Sequence, residues 1–494
     1  MPRARHVGGQ SSPAGRSRLL RRLPLVLVLV LVLGVLAVGG YAVARTGTFL
    51  HHVTNLNNPV TVIQNEVEPP AGSIAWKLKH GQQVNLLLLG YGGSENDAPW
   101  LTDTIMAVSI EPSSHRVLEA SIPRDLYVGI DAWQDGRPYE EKINAAFEVA
   151  MDPSSFAPGP LKPEFQGKDG AGHLAEATVS RLTGLTFDRY LAVDFKAFRS
   201  VVDTLGGITV NMDGPLDDCH YPDYHNGYLN NGVPPGYACP PGAGIHFPAG
   251  QYSVNGEQAL EIARSRDAEE PEQATDFGRV RRQQMIIAAI RQRTSAVDAL
   301  LKAPQLMDAL QNDFKTDMDL NDLKALYDFG VKLPDSSLLR LGISDQDLVD
   351  DYAPYQRGSC GAVDAFALCP EDPTYQTWHS IFAHAFIDRR TLDEHAPIKL
   401  VNATISSSDI QLRLGRVLGP FSLAVADGGQ TPATAKTAIY DYSGGKYPQT
   451  AAWLQEFFGA PVVAAPAATG APPSSEGLVV VIGSDYARRW QGIA

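Results

Sequence analysis

The segment Val84-Asn-Leu-Leu-Leu-Leu-Gly90 is the feature that most limits how this chain can fold. It is short and nearly all apolar, and it ends at a glycine. A strand with apolar side chains on both faces needs cover on both, which is typical of a sheet between layers of helices. Further strands are predicted at residues 104–110 and 116–121, and helical patterns then alternate with strands. This alternation predicts an α/β fold.

The N-terminus carries the pattern of a membrane anchor. Residues 1–22 contain several arginines and no acidic residue, and residues 23–44 contain no charged residue at all. A helix of about 22 residues is roughly 33 Å long, enough to cross a bilayer core. The basic residues before this span predict a cytoplasmic N-terminus. We therefore expect a single transmembrane helix at 23–44 in the cell membrane, a linker at 45–80, and extracytoplasmic domains after it.

Charge and cysteine usage narrow the function classes. The net charge of −14 argues against nucleic-acid binding, which needs a broad basic surface. The four cysteines form two pairs that are close in sequence, Cys219 with Cys239 and Cys360 with Cys369. Neither pair has the spacing of a zinc or redox motif. We predict two local disulfides, which fit an oxidising compartment.

Five arginines lie close together in this acidic chain, separated by an acidic stretch at 267–272. Residues three and four apart share one helix face, so Arg279, Arg282 and Gln283 are expected to lie together. The guanidinium group is a planar fork that suits paired phosphate oxygens. The cluster therefore predicts either a pyrophosphate-like anion site or a solvated helix face with ion pairs to the acidic stretch. The five residues are Arg264, Arg266, Arg279, Arg281 and Arg282.

Other charged residues follow the predicted strands. Asp103 is placed either to hold a divalent cation or to cap a turn. Proline limits the third strand, so Arg124 and Asp125 are expected on a loop at the sheet edge. There they form either a structural pair or a group that faces the same opening as Asp103. Lys142 and Asn144 begin a predicted helix, facing either that opening or water.

An ordered set of short motifs between residues 82 and 345 resembles the LytR-CpsA-Psr family. The set is specific because its members occur in the expected order, although each is short. The motifs are Asn85-Leu-Leu-Leu-Leu-Gly90, Leu101-Thr-Asp-Thr104, Ser121-Ile-Pro-Arg-Asp125, Lys142-Ile-Asn-Ala-Ala146, Val193-Asp-Phe195, Asp203-Thr-Leu-Gly-Gly207, Asn255-Gly-Glu-Gln-Ala-Leu260, Arg264-Ser-Arg266, Asp276-Phe-Gly-Arg279 and Arg282-Gln-Gln284.

The resemblance implies an α/β/α sandwich with a mixed sheet as the catalytic domain, here residues 81–390. It also implies a phosphotransferase that moves a glycopolymer from a polyprenyl-pyrophosphate carrier in the membrane to peptidoglycan or a related wall acceptor. Asp103 matches the magnesium-associated acid, and Asp276 an acid near the head group or the N-cap of its helix. Asp125 and Asp276 are candidates for a base. The residues matched to the pyrophosphate are Arg124, Arg264, Arg266, Arg279, Arg282 and Gln283, and Lys142 is a further candidate for binding the head group.

One departure from the family pattern bears on the cofactor. Where the family usually has an aspartate and two arginines, this chain has Gly92, Ser94 and Leu101. The loss weakens the expectation of Mg²⁺ at Asp103. Two alternatives therefore stay open: a non-catalytic polyprenyl-phosphate-binding or regulatory membrane protein, and a pyrophosphatase acting on the lipid-linked glycan.

The last third of the chain predicts a second, smaller α/β unit. Trp378, Phe382 and Phe386 have helical spacing and are expected to belong to a core rather than a lipid groove. Residues 396–494 contain predicted strands at 398–404, 421–425, 438–440 and 477–483, with helices between them. This part resembles the small C-terminal domain found behind many members of the same family. It shows no set of catalytic residues, which favours a binding or spacing role.

Overall fold

The structure, a computed structural model, describes most of the chain from residue 69 onward. The candidate transmembrane segment at 23–44 lies outside the described residues. Within the described part, no helix is both long and apolar enough to cross a membrane. The described residues are 69–94, 98–156, 159–223, 227–228, 242–265, 267–274, 276–294, 314–330, 333–343, 349–352, 367–405, 409–464 and 477–490.

Strands and helices alternate along these residues, as the sequence predicts. The strands are β1 Val84–Tyr91, β2 Thr102–Glu111, β3 Arg116–Ser121, β4 Tyr127–Gly129, β5 Glu140–Lys142, β6 Arg189–Asp194, β7 Ile208–Met212, β8 Leu216–Asp218, β9 Pro222–Asp223, β10 Gly227–Tyr228, β11 Ile245–Phe247, β12 Gly250–Val254, β13 Phe314–Thr316, β14 Leu338–Gly342, β15 Val349–Tyr352, β16 Ala367–Pro370, β17 Pro397–Asn402, β18 Ala424–Gln430, β19 Ala438–Asp441, β20 Val462–Ala464 and β21 Leu478–Ile482. The helices are α1 Ile74–Lys79, α2 Ala145–Met151, α3 Gly170–Thr183, α4 Phe195–Thr204, α5 Gly256–Arg264, α6 Asp276–Thr294, α7 Leu320–Gly330, α8 Gln376–Ala383, α9 Arg389–Asp393, α10 Ile410–Leu418, α11 Pro448–Phe458 and α12 Ser484–Trp490.

A six-stranded mixed sheet in the order β13-β6-β1-β2-β3-β14 forms the centre of the first unit, the part of the chain that precedes residue 396. Strand β1 pairs parallel with β6 and antiparallel with β2. The predicted α/β class with a mixed sheet is therefore confirmed, and the apolar segment that predicted it is an inner strand.

The apolar run in β1 has a direct structural cause. Leu87 and Leu89 belong to one hydrophobic core, whereas Val84 and Leu86 belong to the core on the opposite face. Successive side chains of a strand point to opposite faces, so a strand between two cores must be apolar at nearly every position.

One local prediction in this unit differs from the structure. The helix expected to begin at Lys142 begins at Ala145, because Lys142 ends the short strand β5, which pairs with β4. Outside the central sheet, strand β7 pairs with β12.

The C-terminal unit contains a five-stranded sheet in the order β18-β17-β21-β19-β20. Its strands at 397–402, 438–441 and 478–482 agree with the predicted ones. The predicted strand at 421–425 is wrong in position: Phe421 ends a short 3-10 turn and is fully buried, and the strand begins at Ala424.

The two units share one hydrophobic core. Residues of β1, α3, α8, α11, α12 and β21 belong to the same buried cluster. Trp378 is fully buried in it, Phe382 is 3% exposed, and Phe386 packs against it, which confirms the predicted core role of these aromatics. The indole nitrogen of Trp490 donates a hydrogen bond to Thr377 Oγ1 at 3.1 Å, joining α12 to α8.

The structure describes one cysteine of each predicted pair. Cys219 and Cys369 are buried, and neither is a free thiol. Cys239 and Cys360 lie outside the described residues, so the two pairings stay predictions.

We predict that Trp378→Ala lowers the free energy of unfolding by about 3–5 kcal/mol, because it leaves a large cavity in the shared core. Since both sheets depend on this core, the variant should still unfold in one transition during urea denaturation. Leu412→Ala, which truncates a partly exposed side chain, is the control and should change stability by less than about 1 kcal/mol. Two separate transitions would contradict the shared core.

Candidate functional site

A cavity opens where the inner strand β1 ends. Gly90 of β1 lies opposite Thr104 of β2 and Val193 of β6, and one row further in Leu88 lies opposite Met106 and Leu191. Residues two apart share a face, so these rows line the same side of the sheet. A Cβ at position 90 would approach the Cβ of Thr104 to 3.1 Å, so glycine keeps this end open.

The cavity has a volume of about 470 Å³, and its wall is mainly apolar. The inner rows of the sheet form one side, and helices α4, α5 and α6 form the other. The apolar lining residues are Leu88, Leu89, Ala98, Leu101, Met106, Leu191, Val193, Phe195, Phe198, Leu260, Ala263, Ile286 and Ile287.

Arg264, the last residue of α5, brings a guanidinium group into this apolar surrounding. Its guanidinium carbon lies 4.2 Å from the ring centre of Phe195 and 5.8 Å from that of Tyr221, both in cation–π range. Its Nη1 also donates a 3.4 Å hydrogen bond to the Tyr221 hydroxyl. Burial lowers the pKa of Arg264, with a smaller opposing effect from Tyr221 and Asp103. An arginine held in this position is suited to bind an anion.

Arg124 and Asp103 form a second charged group that lines the same cavity. The Arg124 guanidinium bonds Asp103 through Nη1 and Asp125 Oδ2 through Nε at 3.2 Å. The other oxygen of Asp125 accepts a 2.9 Å bond from Lys142 Nζ. Asp125 is 3% exposed, with both oxygens bonded. The geometry therefore favours a positioning role for Asp125 and Lys142 behind Arg124.

Local sequence signals fix where α5 begins. Asn255 Oδ1 accepts a hydrogen bond from Gln258 N at 2.9 Å, and Gln258 Oε1 accepts one from Asn255 N at 3.1 Å, which completes a capping box. A Cβ at Gly256 would lie 2.4 Å from the backbone oxygen of Arg199, so glycine allows α5 to pack closely on α4.

Arg282 of α6 is predicted to bind an anion, but the structure places its guanidinium among backbone carbonyls. It donates to the carbonyl oxygens of Ile262 at 2.8 Å, of Gln273 at 2.9 Å and of Ser265. It is 3% exposed, and burial lowers its pKa to about 10, so it stays charged at neutral pH. This geometry ties α5 to α6 and does not favour direct contact with a ligand.

The predicted site residues thus separate into three groups. Five line the cavity, namely Asp103, Arg124, Arg264, Arg279 and Gln283. Three lie behind it, namely Asp125, Lys142 and Arg282. Arg266 and the side chain of Asp276 lie outside the described residues, so their roles stay predictions.

Sequence reasoning missed several residues that complete the cavity. Tyr221 lies 43 positions from Arg264 in sequence, in a loop that local patterns could not place. Asp194 lines the cavity and caps α4 by accepting a 2.7 Å bond from Ala197 N. Gly93 has a φ of 74°, and a Cβ there would lie 2.9 Å from Asp194 Cβ, which explains a glycine in this loop. The glycines after β1 were the available signal.

The donor set around Asp103 suits Mg²⁺ only together with a phosphate ligand. Mg²⁺ in phosphoryl-transfer sites binds one or two carboxylates, substrate phosphates and water. Asp103 offers a carboxylate at the cavity, and Arg124 already bonds it. Bound phosphates would supply the remaining oxygens and a second partner for Arg124.

These features agree with the family comparison. Residues 47–358 match the LytR_cpsA_psr family, so the chain belongs to this family. The resemblance seen in the short motifs is therefore confirmed.

The chain is also similar to proteins of known name. The chain is 29% identical over 250 residues to "Polyisoprenyl-teichoic acid--peptidoglycan teichoic acid transferase TagU" of Oceanobacillus iheyensis, a match that covers 50% of this chain and 63% of that protein. The protein of the same name from Bacillus cereus is 24% identical over 289 residues, covering 58% of this chain and 77% of that one. Among solved structures, B. subtilis TagV has 21% identity and a TM-score of 0.42, covering 61% of this chain and 96% of TagV.

We predict that Arg282→Ala destabilises the protein by about 3 kcal/mol or more, because three carbonyl groups lose a charged donor. Chemical denaturation would measure the change. Arg281→Ala is the matched control: Arg281 is exposed and bonds one carbonyl, that of Glu272, so its loss should cost less than about 1 kcal/mol. Equal stability of the two variants would contradict a structural role for Arg282.

Glu261 of α5 provides a prediction on pH dependence. Burial, and less strongly Glu257, raises its pKa to about 7. The folded protein thus holds this proton more tightly than the unfolded chain, so stability falls as pH rises from about 4.5 to 7. Glu261→Gln should stabilise the protein at pH 8 by about 1–2 kcal/mol, after allowance for solvent screening, and much less at pH 4.

Thermal unfolding at several pH values would measure this difference. Glu257→Gln is the control on the same helix, because that side chain is 47% exposed and pairs with Arg199 at 3.4 Å. A gain for Glu261→Gln that is the same at pH 4 and pH 8 would contradict the raised pKa.

Proposed function

We propose that this chain is a phosphotransferase that moves a glycopolymer from a polyprenyl-pyrophosphate carrier to peptidoglycan or a related wall acceptor. The observation that carries the proposal is the cavity itself. The cavity is lined on one side by the apolar residues Leu88, Met106 and Leu191, and it also contains the guanidinium groups of Arg264 and Arg124. An isoprenoid chain with a pyrophosphate head group has the matching combination of apolar and anionic parts.

The reaction follows from these two parts. A hydroxyl oxygen of the acceptor forms a bond to the phosphorus that carries the glycan. The bond from this phosphorus to the bridging oxygen breaks, polyprenyl phosphate leaves with the bonding electrons, and the hydroxyl proton passes to a base or to water. Arg264 and Arg124 would orient the pyrophosphate and stabilise the charge that gathers on its oxygens.

Asp125 would act through Arg124 rather than on the substrate. Its two oxygens are bonded to Arg124 and Lys142, so neither is placed to take a proton. Asp103 would hold Mg²⁺ once the pyrophosphate is bound. The ion would supply further charge stabilisation at the phosphate oxygens.

The cellular setting is part of the same proposal. The uncharged segment 23–44 would anchor the protein in the cell membrane, with the described domains on the outer side, where a lipid carrier and a wall acceptor meet. The C-terminal unit, with its own sheet, would serve as a binding or spacing module.

The test is transfer of a labelled oligosaccharide from a polyprenyl-pyrophosphate donor to peptidoglycan, with the full-length chain in detergent and Mg²⁺ present. We predict that Arg264→Ala lowers kcat/KM about 10²–10³-fold, because it removes a charged donor from a desolvated site. Asp103→Asn should weaken the dependence on Mg²⁺. Arg389→Ala, which alters a side chain that is 91% exposed, is the control and should retain full activity.

The two alternative functions give different results in this assay. Release of free glycan without labelled peptidoglycan would indicate a pyrophosphatase. Retention of the lipid with no transfer, over a range of acceptors and metal ions, would contradict the transferase proposal and favour a binding or regulatory protein.

A further inference from the structure

A second group of metal-ligating side chains lies away from the cavity. His173 and Glu176 are three residues apart on α3, and Asp317 follows β13. One ligand atom from each lies within 4.8 Å of the others. Residues three apart share a helix face, so α3 presents both of its side chains to Asp317. None of the three lines the cavity that contains Asp103 and Arg264.

The histidine is oriented for coordination. Its Nδ1 lies 3.4 Å from the carbonyl oxygen of Glu164, and its Nε2 lies 3.9 Å from Asp317 Oδ2. A proton on Nδ1 that is donated to this carbonyl leaves the lone pair of Nε2 directed at the carboxylates. Metal-binding histidines are commonly fixed through their second nitrogen in this way. The side chain is 41% exposed, which gives an ion access from solvent.

The two carboxylate oxygens of Asp317 have different partners. Oδ1 accepts a 2.9 Å hydrogen bond from the backbone nitrogen of Tyr190, which fixes the carboxylate against β6. This leaves Oδ2 facing His173. Gly172 allows α3 to pack closely against the ring of Tyr190, because a Cβ there would lie 2.3 Å from the ring.

In Glu176, the third residue of the cluster, one carboxylate oxygen, Oε1, is buried without a hydrogen bond to any described residue. Burial, and next Asp317, raises the pKa of Glu176 to about 8, and burial raises that of Asp317 to about 6. Arg189 is nearby, but its Nε donates to Asp322 at 2.8 Å. Two carboxyl groups and an imidazole thus share one space, and a cation there would give the Oε1 of Glu176 a partner.

We propose that His173, Glu176 and Asp317 form a binding site for a divalent transition-metal cation, with Zn²⁺ as the best match. An imidazole nitrogen favours Zn²⁺ over Mg²⁺ or Ca²⁺, which prefer oxygen ligands alone. Ligand atoms around Zn²⁺ lie about 2.0–2.2 Å from the ion and hence roughly 3.5 Å from one another. The cluster would close by about 1 Å on binding.

The cation would join α3 to the strand at the edge of the central sheet. Among the described strands, β13 is terminal in the sheet order and pairs with β6 alone. A metal bond from Asp317 to α3 would hold that edge through two side chains of one helix. Binding free energy at such a site adds to folding stability, because the unfolded chain does not hold the three ligands together.

The test measures Zn²⁺ bound to the full-length protein in detergent, by calorimetric titration after treatment with a chelator and by metal analysis after dialysis. We expect one Zn²⁺ per chain and a raised Tm in its presence. His173→Asn and Glu176→Gln should each weaken Zn²⁺ binding about tenfold or more and abolish the rise in Tm. Glu176→Gln also serves as a folding check, because glutamine keeps the shape of the side chain.

The matched control is His246→Asn. His246 pairs with one carboxylate, Asp217, at 2.7 Å, and among the described residues this pair has no third ligand. This variant should bind Zn²⁺ with wild-type affinity. The proposal is overturned if the wild-type protein binds no Zn²⁺, or if His173→Asn and Glu176→Gln bind it as tightly as His246→Asn does.

Discussion

The buried guanidinium of Arg282 is the interaction on which the candidate site depends. It joins the end of α5 to α6 by donating to the carbonyl groups of Ile262, Ser265 and Gln273. Arg264 stands at the end of α5, and Arg279 lies one turn before Arg282 on α6. The crossing of these helices therefore sets the distance between the arginines that face the cavity. A buried charge is favourable only when it is fully hydrogen-bonded, and here backbone oxygens provide the bonds.

The cavity combines two environments because the sheet changes character along its length. Inner rows such as Leu88 with Met106 and Leu191 are apolar, whereas the edge beyond Gly90 carries Asp103 and Asp194. The proposed lipid substrate needs both environments at once. Desolvation by the apolar part also strengthens the electrostatic effect of the arginines, since a low dielectric screens charge weakly.

Much of this arrangement could be predicted from sequence, and the failures have physical causes. The apolar run at 84–90 predicted an inner strand because both of its faces need cover, and this holds. Helical spacing placed Arg279 and Gln283 together, but it could not show that Arg282 donates to carbonyl groups as far as 20 residues away. Tyr221 was missed because a loop brings it to Arg264 without any periodic pattern. The strand near Phe421 was misplaced because a short 3-10 turn buries that ring just before the strand begins.

Binding of an amphiphile tests the central claim most directly, namely that one cavity holds an isoprenoid chain and a pyrophosphate together. The measurement compares geranylgeranyl pyrophosphate, geranylgeraniol and inorganic pyrophosphate by native mass spectrometry of the full-length protein with Mg²⁺. The account predicts that geranylgeranyl pyrophosphate binds at least about 100-fold more tightly than either part alone, because each part gains a different set of contacts. Equal affinity for the pyrophosphate lipid and the alcohol would contradict the account, since the arginines would then contribute nothing to recognition.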